Sequence, residues 1–596
     1  MRNIVSPLDG IRSPFGQLTS PLAIYAVIGI KPQLVFDFAI EKYFTESRRS
    51  TFDAAMTHTR SGNATMVDSD GVLKWAPHNL ALNSATPATQ SITVVSGADY
   101  TVECTGVSIT LSGAGTGTVT EGNPVEVTAS TTTLTLTVTG STGTMWCYRS
   151  DLGGMVNNPD RGDSYVPTTD SPRYLPRRGH HVWNGSAWVN EGLLVESEAR
   201  TNLLHTTNAL VTQSYTVTAV PHTLHFTGTG TVTLSGASTD GPLVGTGTGE
   251  ENRVYLTFTP TAGTLTLTVS GTVTDAQLEV GYTPSSYIPN LAGSGTVTRG
   301  AETLTVAAAD LPWPTPRVIG PELVTNGTFD SDLSGWTENT SGVVTWSDGV
   351  ALVGDGNGVI NTFFAQTVPA VSGKTYEIKV DVNLLSGLGV RILLDSINQG
   401  GGAYFSSDQT FYYTATSSTI ELEIYRFRAH DGQVEIDNIS VREIDPLSVS
   451  IQMDGRVTFA DTDVASSADG GVGEAVFHLW KSSTSAYIET VLDTNNGTGM
   501  ASFVQEGGGA RDVVSSTGSY YTPGVLVPFN IASRHGSTFI NGAVDGTALT
   551  ADNTPVALPD LSATDLNLAY DYNGTIRTFR MWNKDLTDEG LEEAST

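Results

Sequence analysis

The feature that most restricts how this chain can fold is a two-residue alternation of Thr against Leu and Val, and it occurs twice. One copy runs Gln90-Ser-Ile-Thr-Val94, Ser108-Ile-Thr-Leu-Ser-Gly113 and Thr133-Leu-Thr-Leu-Thr-Val-Thr-Gly140. The other runs Gln213-Ser-Tyr-Thr-Val217, Thr231-Val-Thr-Leu-Ser-Gly236 and Gly263-Thr-Leu-Thr-Leu-Thr-Val-Ser-Gly271. Neighbouring side chains on a strand point to opposite faces, so Leu and Val fall on one side and Thr on the other. Two half-apolar sheets bury those sides against each other. Each copy therefore predicts a β-sandwich of about 60–80 residues, near the lower limit for an independent core. Asn79-Leu-Ala-Leu82 ahead of the first copy echoes Asn202-Leu-Leu204 ahead of the second, so the duplicated unit includes its lead-in.

Long amphipathic helices need charged faces, and only 15% of this chain is Asp, Glu, Lys or Arg. The fold class is all-β. At 596 residues the chain exceeds what one core can organise. The expected architecture is a string of β-sandwich (jelly-roll) domains behind a small N-terminal anchoring segment. That segment spans 1–84, with loop signals at Ser6-Pro7 and Ser13-Pro14, short strands over 34–38 and 57–75, and a helix near Phe52. Thr-rich sandwiches follow at 85–190 and 191–310. Trp183-Asn-Gly-Ser-Ala-Trp188 between the copies predicts a hairpin on a two-residue type I′ turn. A Pro-rich break, Leu311-Pro-Trp-Pro-Thr-Pro316, precedes further β-domains at 320–444 and 447–596.

A net charge of −31 argues against nucleic acid and anionic membranes as partners, since both are bound through clustered cations. Arg48-Arg49 and Arg177-Arg178 read as solvated surface or interface charges. Residues 22–30 are apolar but too few to span a membrane, and no membrane insertion is expected. The opening residues carry no signal peptide, so an extracellular role implies synthesis in a bacterial cytoplasm and release by lysis. Cys104 and Cys147 predict a buried, reduced pair. His180-His181 would face opposite ways on a strand and make a poor chelate, so they read as surface histidines near a turn. The chain has no nucleophile elbow, zinc-binding helix motif or phosphate-binding loop, and it is not expected to be an enzyme. Two carboxylates meeting in space for glycoside cleavage would leave no sequence signature.

Three stretches resemble known families. Thr57-His-Thr-Arg60, Asp68-Ser-Asp-Gly71, the segment 191–204 with its Glu-Ala-Arg-Thr-Asn-Leu string, and Asp275 through Ser286-Tyr-Ile-Pro289 resemble phage head-spike and tail-fibre proteins. That group includes the spikes of phage-like gene transfer agents, and the likeness covers about half the chain. Leu323-Val-Thr-Asn-Gly-Thr-Phe-Asp330 with Gly335-Trp336, Val371-Ser-Gly-Lys-Thr-Tyr376 and Val434-Glu-Ile-Asp-Asn-Ile-Ser-Val-Arg442 resemble jelly-roll carbohydrate-binding modules. Phe539-Ile-Asn-Gly542, Gly574 through Asn583 and Leu586-Thr-Asp-Glu589 resemble a laminin-G or concanavalin-like sandwich.

The resemblances imply a virion or gene-transfer-agent spike or fibre. Its N-terminal segment would attach to capsid or tail proteins, and its distal domains would bind host cell-surface or capsular polysaccharide, displayed as a homo-oligomer. A capsule-degrading spike enzyme and a purely structural decoration are the alternatives. In the jelly-roll family a structural calcium often ties the first strand to the last, which implies Asn326 and Asp437 as ligands. Sugar binding on a β-sandwich uses an aromatic ring against the apolar face of a pyranose, flanked by polar groups for the hydroxyls. The candidate rings are Trp346, Tyr404, Phe405, Tyr412 and Tyr425, with Arg391, Arg426 and Gln399 as polar partners. Trp336 is expected in the core. Tyr520, Tyr521, Tyr570 and Tyr572 are weaker candidates in the last domain.

Overall fold

The computed structural model describes residues 21–46, 48–291, 295–338, 343–354, 362–399, 403–426, 432–445, 447–460, 474–494, 499–516 and 520–596. The loop signals at Ser6-Pro7 and Ser13-Pro14 lie outside them. The chain is all-β, with many antiparallel sheets forming several β-domains.

The two Thr-rich copies fold as sandwiches of identical topology. Each has a four-stranded sheet over a three-stranded one. In the first, the order is Gly117–Val119, Ser108–Gly113, Thr133–Thr139, Gln90–Thr93 over Val125–Thr128, Asp99–Thr105, Thr144–Arg149. In the second it is Leu243–Val244, Thr231–Gly236, Gly263–Ser270, Gln213–Val217 over Val254–Phe258, His222–Gly228, Val273–Val280. Leu134 and Leu136 in one core, and Leu265 and Leu267 in the other, are fully buried, as the alternation requires. Cys104 and Cys147 are free and buried in the first core, where burial pushes the Cys147 thiol up to about 12.

The lead-ins are equivalent down to their hydrogen bonds. Asn79 donates its side-chain amide to the Met145 and Val166 carbonyls, and its Oδ1 accepts the Ala81 and Cys147 N–H groups. Asn202 does the same with Ala276, Ile288, Leu204 and Leu278. Gln90 is bound twice to the Leu82 backbone, and Gln213 twice to that of His205. The Tyr165 hydroxyl meets Ser84 as the Tyr287 hydroxyl meets Thr207. Ser164-Tyr-Val-Pro167 is thus the first copy's counterpart of Ser286-Tyr-Ile-Pro289.

The N- and C-terminal regions share one large sandwich, which is the main departure from the expected string. Leu34–Asp37 pairs along Asn573–Trp582, from Leu34 opposite Met581 to Asp37 opposite Thr578. At the other end of that strand Leu193–Glu196 pairs with it, Leu193 opposite Ile576. In the facing sheet Thr57–Arg60 pairs with Glu302–Val306, which pairs with Leu566–Asp571. Phe36, Leu193, Leu304, Met453, Phe477 and Phe579 fill a single core. The strands between Leu34 and Arg60, the strands Leu193–Glu196 and Glu302–Val306, and the described residues of 447–596 are therefore one body, and the Thr-rich and jelly-roll sandwiches are insertions into it. A two- or three-stranded piece cannot bury a face alone, so these short strands are stable only inside a larger sheet. The helix Thr587–Ala594 closes the outer face with Leu591 and Ala594 against Trp582 and Ala543.

Residues 318–445, the stretch with the jelly-roll resemblance, form a domain of two antiparallel sheets. Val344–Ser347, Val350–Val353, Val434–Ile444, Thr375–Leu384 and Gln409–Thr414 make one sheet, with Val318–Glu322 added beside Val434–Ile444. Thr337–Glu338, Thr362–Pro369, Thr419–Arg426, Arg391–Leu394 and Ile397–Asn398 make the other. Ile378, Ile436, Ile392 and Leu422 are buried between them. Trp336 packs there too, its ring stacked on Phe364 at 4.6 Å.

Candidate carbohydrate-binding surface

On Thr419–Arg426 the residues alternate between core and exterior, with Leu422 and Ile424 buried and Tyr425 partly open. Tyr425 lies directly opposite Phe363 on one neighbouring strand and Arg391 on the other. Directly opposed residues share a face, so the three form a row across the outside of the sheet. Tyr404, arriving from the loop before Phe405, extends the row: the Arg391 guanidinium carbon sits 4.6 Å from its ring centroid. Among the described residues no carboxylate pairs with Arg391, and its Nε is shut from solvent with no hydrogen-bond partner. Glu421 and Glu423 lie further along the same face of the strand. Burial and the charge of Glu421 raise the pKa of Glu423. The row thus offers flat rings, one cation with spare donors, and carboxylates at its far end.

The structure brings together three of the eight sugar-binding candidates, Tyr404, Tyr425 and Arg391, and adds Phe363. The signal for Phe363 was present in Phe363-Phe364, where period two sends one ring outward if the other is core. The other five lie elsewhere. Tyr412 is on the outside of the opposite sheet, across from Glu377. Trp346 is on an edge strand, 43% exposed, with its indole N–H donating to the Phe329 carbonyl at 2.6 Å. Phe405 packs edge-on against Phe411 beside the core. Arg426 is buried on the inward side of its strand, against Gly354. Gln399 donates to the Ile397 carbonyl at 3.0 Å, and residues 400–402 of its loop lie outside the described residues. In the last domain Tyr521 and Tyr572 are buried, while Tyr520 and Tyr570 are exposed.

The calcium expectation places Asn326 and Asp437 near each other, because the Ile439 N–H donates to the Gly327 carbonyl. Asn326 uses its amide nitrogen on Asp332 and the Ser334 carbonyl. Asp437 accepts the Asn438 N–H, and burial with the charges of Asp381 and Asp330 raises its pKa. Among the described residues no three His, Cys, Asp or Glu side chains converge on a position that could hold a metal ion.

Two expectations about charge are corrected. Arg177 and Arg178 are buried, not solvated. Arg177 joins Arg60, Arg299, Glu196 and Glu302 in a network where the Thr-rich sandwiches meet the composite one. It pairs with both Glu196 and Glu302, Arg60 with Glu302, and Arg299 with Glu196. Although burial acts to raise it, Arg299 and Arg177 hold the Glu196 carboxyl down to about 2. Such a network is retained because removing one partner strands a buried charge, at a cost of about 3–5 kcal/mol. Of the Glu-Ser-Glu-Ala-Arg string, Glu196 is the residue that joins this network. His180 is also buried, its Nδ1 accepting the Val67 N–H, and burial lowers its pKa to about 3. A strand-end histidine looks solvent-facing in sequence because the covering segment is more than 100 residues away.

A scan of protein-family models finds none that matches this chain, and a search of curated proteins finds no significant relative.

Proposed function

We propose that the chain is a particle-surface adhesin of the head-spike or fibre kind, which holds host cell-surface or capsular polysaccharide without cutting it. The observation that carries this reading is the row Phe363, Tyr425, Arg391 and Tyr404 on the open face of the jelly roll. Rings in such a row stack on pyranose faces, and a guanidinium lacking a carboxylate partner binds sugar hydroxyls or a uronic-acid carboxylate. The likeness to spike and fibre proteins supplies the setting. The composite sandwich, which includes residues 21–60, faces capsid or tail proteins, and the jelly roll faces the host. Display as a homo-oligomer raises the effective concentration of weak sites. In this reading the protein is made in a bacterial cytoplasm and released by lysis on the particle surface.

The test uses the full chain, because a fragment beginning near 320 would lack three strands that the C-terminal sheets require. Binding to purified host polysaccharide weakens at least about tenfold in Tyr425→Ala and in Arg391→Ala, the size expected for one lost ring or charge-assisted contact. Unchanged binding in both variants contradicts the site. Release of reducing ends during the incubation would favour the capsule-degrading alternative.

A further inference from the structure

We propose a second sugar site, separate from the jelly roll: a cleft of about 360 Å³ between the Trp183–Trp188 hairpin, the second Thr-rich sandwich and the composite sandwich, which takes a short neutral oligosaccharide.

One wall is a rigid aromatic pair. Trp183 and Trp188 are directly opposed on the hairpin strands, with ring centroids 5.5 Å apart. The loop between them is four residues long, not the two expected, and is tied by Asn184 Oδ1, which accepts the Ser186 and Ala187 N–H groups. Trp188 lies flat against Gly71, where a Cβ would come within 2.2 Å of the ring. The opposite wall carries Tyr255, from the strand Val254–Phe258 of the second sandwich. Trp183 is 37% and Tyr255 50% exposed. Aromatic side chains have few rotatable bonds, so they lose little conformational freedom on stacking against a sugar.

The charges select the class of sugar. Each arginine lining the cleft already has a carboxylate: Arg253 holds Glu250 through two bonds, 2.6 and 2.8 Å, and Arg456 holds Glu191 at 2.8 Å. His225 is fully buried beside Glu279, and burial lowers its pKa, so it supplies no cation at neutral pH. Glu251, also on the wall, makes no ion pair among the described residues. An anionic sugar would meet uncompensated negative charge, whereas hydroxyls find carboxylate acceptors. The volume is near the low end of the roughly 300–1,000 Å³ of small-molecule sites, which fits a short chain.

The test probes an array of neutral oligosaccharides, and a matched array of uronic-acid and sulfated ones, with the full chain. The strongest neutral binder is then titrated by tryptophan fluorescence. Trp183→Ala and Tyr255→Ala each weaken that binding at least about tenfold, and Trp183→Phe restores part of it. Thermal unfolding of the variants confirms that these exposed positions leave the fold intact. Three results would overturn the site: no neutral oligosaccharide bound, neutral binding abolished by Tyr425→Ala, or full affinity kept in both cleft variants. Because the jelly-roll variants are read on the same arrays, failure here is distinguishable from failure of the adhesin reading.

Discussion

In the first Thr-rich sandwich Val102 pairs with Cys147, and Asn79 caps that pair; in the second, Leu224 pairs with Leu278 under Asn202. Matching these positions makes Glu103 the counterpart of His225, and Tyr148 the counterpart of Glu279. In both copies an acid and a ring face outward from the three-stranded sheet and hydrogen-bond each other, with their places exchanged. The first pair is half-buried, with the Tyr148 hydroxyl donating to Glu103 at 2.9 Å. The second is wholly buried, and its sheet forms a wall of the cleft. The inward positions and the Asn and Gln clamps are common to both, and the outward positions of one sheet are where the copies diverge. A duplicated scaffold can thus acquire a site on one copy without disturbing its core.

The largest effect should come from what the copies share. Asn79→Ala or Asn202→Ala leaves several buried backbone groups unpaired, and each should destabilise its own sandwich by about 3 kcal/mol, equal to within about 1 kcal/mol. Local hydrogen exchange measures this, and a large inequality would break the equivalence. Next comes acid. His78, beside Asn79, corresponds to Thr201 beside Asn202. Burial holds His78 down at about 3, and its Nε2 accepts the Arg149 N–H. The unfolded chain binds a proton below about pH 6.5 while the folded chain does not. His78 therefore contributes full stability above that pH and loses about 2 kcal/mol between pH 7 and pH 5. His78→Thr should flatten this acid slope in the first sandwich, whatever it costs in packing; an unchanged slope would assign the titration elsewhere.

The smallest effect tests the divergent pair. Burial acts to raise the Glu279 pKa, but hydrogen bonds from His225 and Ser285 hold the carboxyl below its usual range. Its contribution is complete above about pH 4.5 and is lost as pH falls through the folded value. Glu279→Gln should cost about 1 kcal/mol more than Glu103→Gln in urea unfolding at pH 7, and equal costs would remove the contrast in burial.

Much of the fold was legible in local pattern. Thr-Leu-Thr-Leu dictates a one-sided strand, the repeated Asn and Gln mark where the units begin, and Trp336 packs against the core as expected. Partner choice across the chain was not legible. Nothing near Leu34 indicates that it pairs with Met581, because β-pairing is a relation between distant segments. Burial by distant cover failed for the same reason. Arg177 and His180 look solvent-facing until residues from other segments close over them. At the site, period two would have separated Tyr425 from Arg426, which were both expected to bind, because neighbours on one strand face opposite ways. It could not have decided that Tyr412 belongs to the other sheet.

The central claim is that polysaccharide is held on the row formed by Phe363, Tyr425, Arg391 and Tyr404. Hydrogen exchange of the full chain, with and without host polysaccharide, tests it most directly. The account predicts new protection along the strands Arg391–Leu394 and Thr419–Arg426, absent in Tyr425→Ala. Protection confined to the Thr-rich sandwiches, or none at a polysaccharide concentration that saturates particle adsorption, would contradict it.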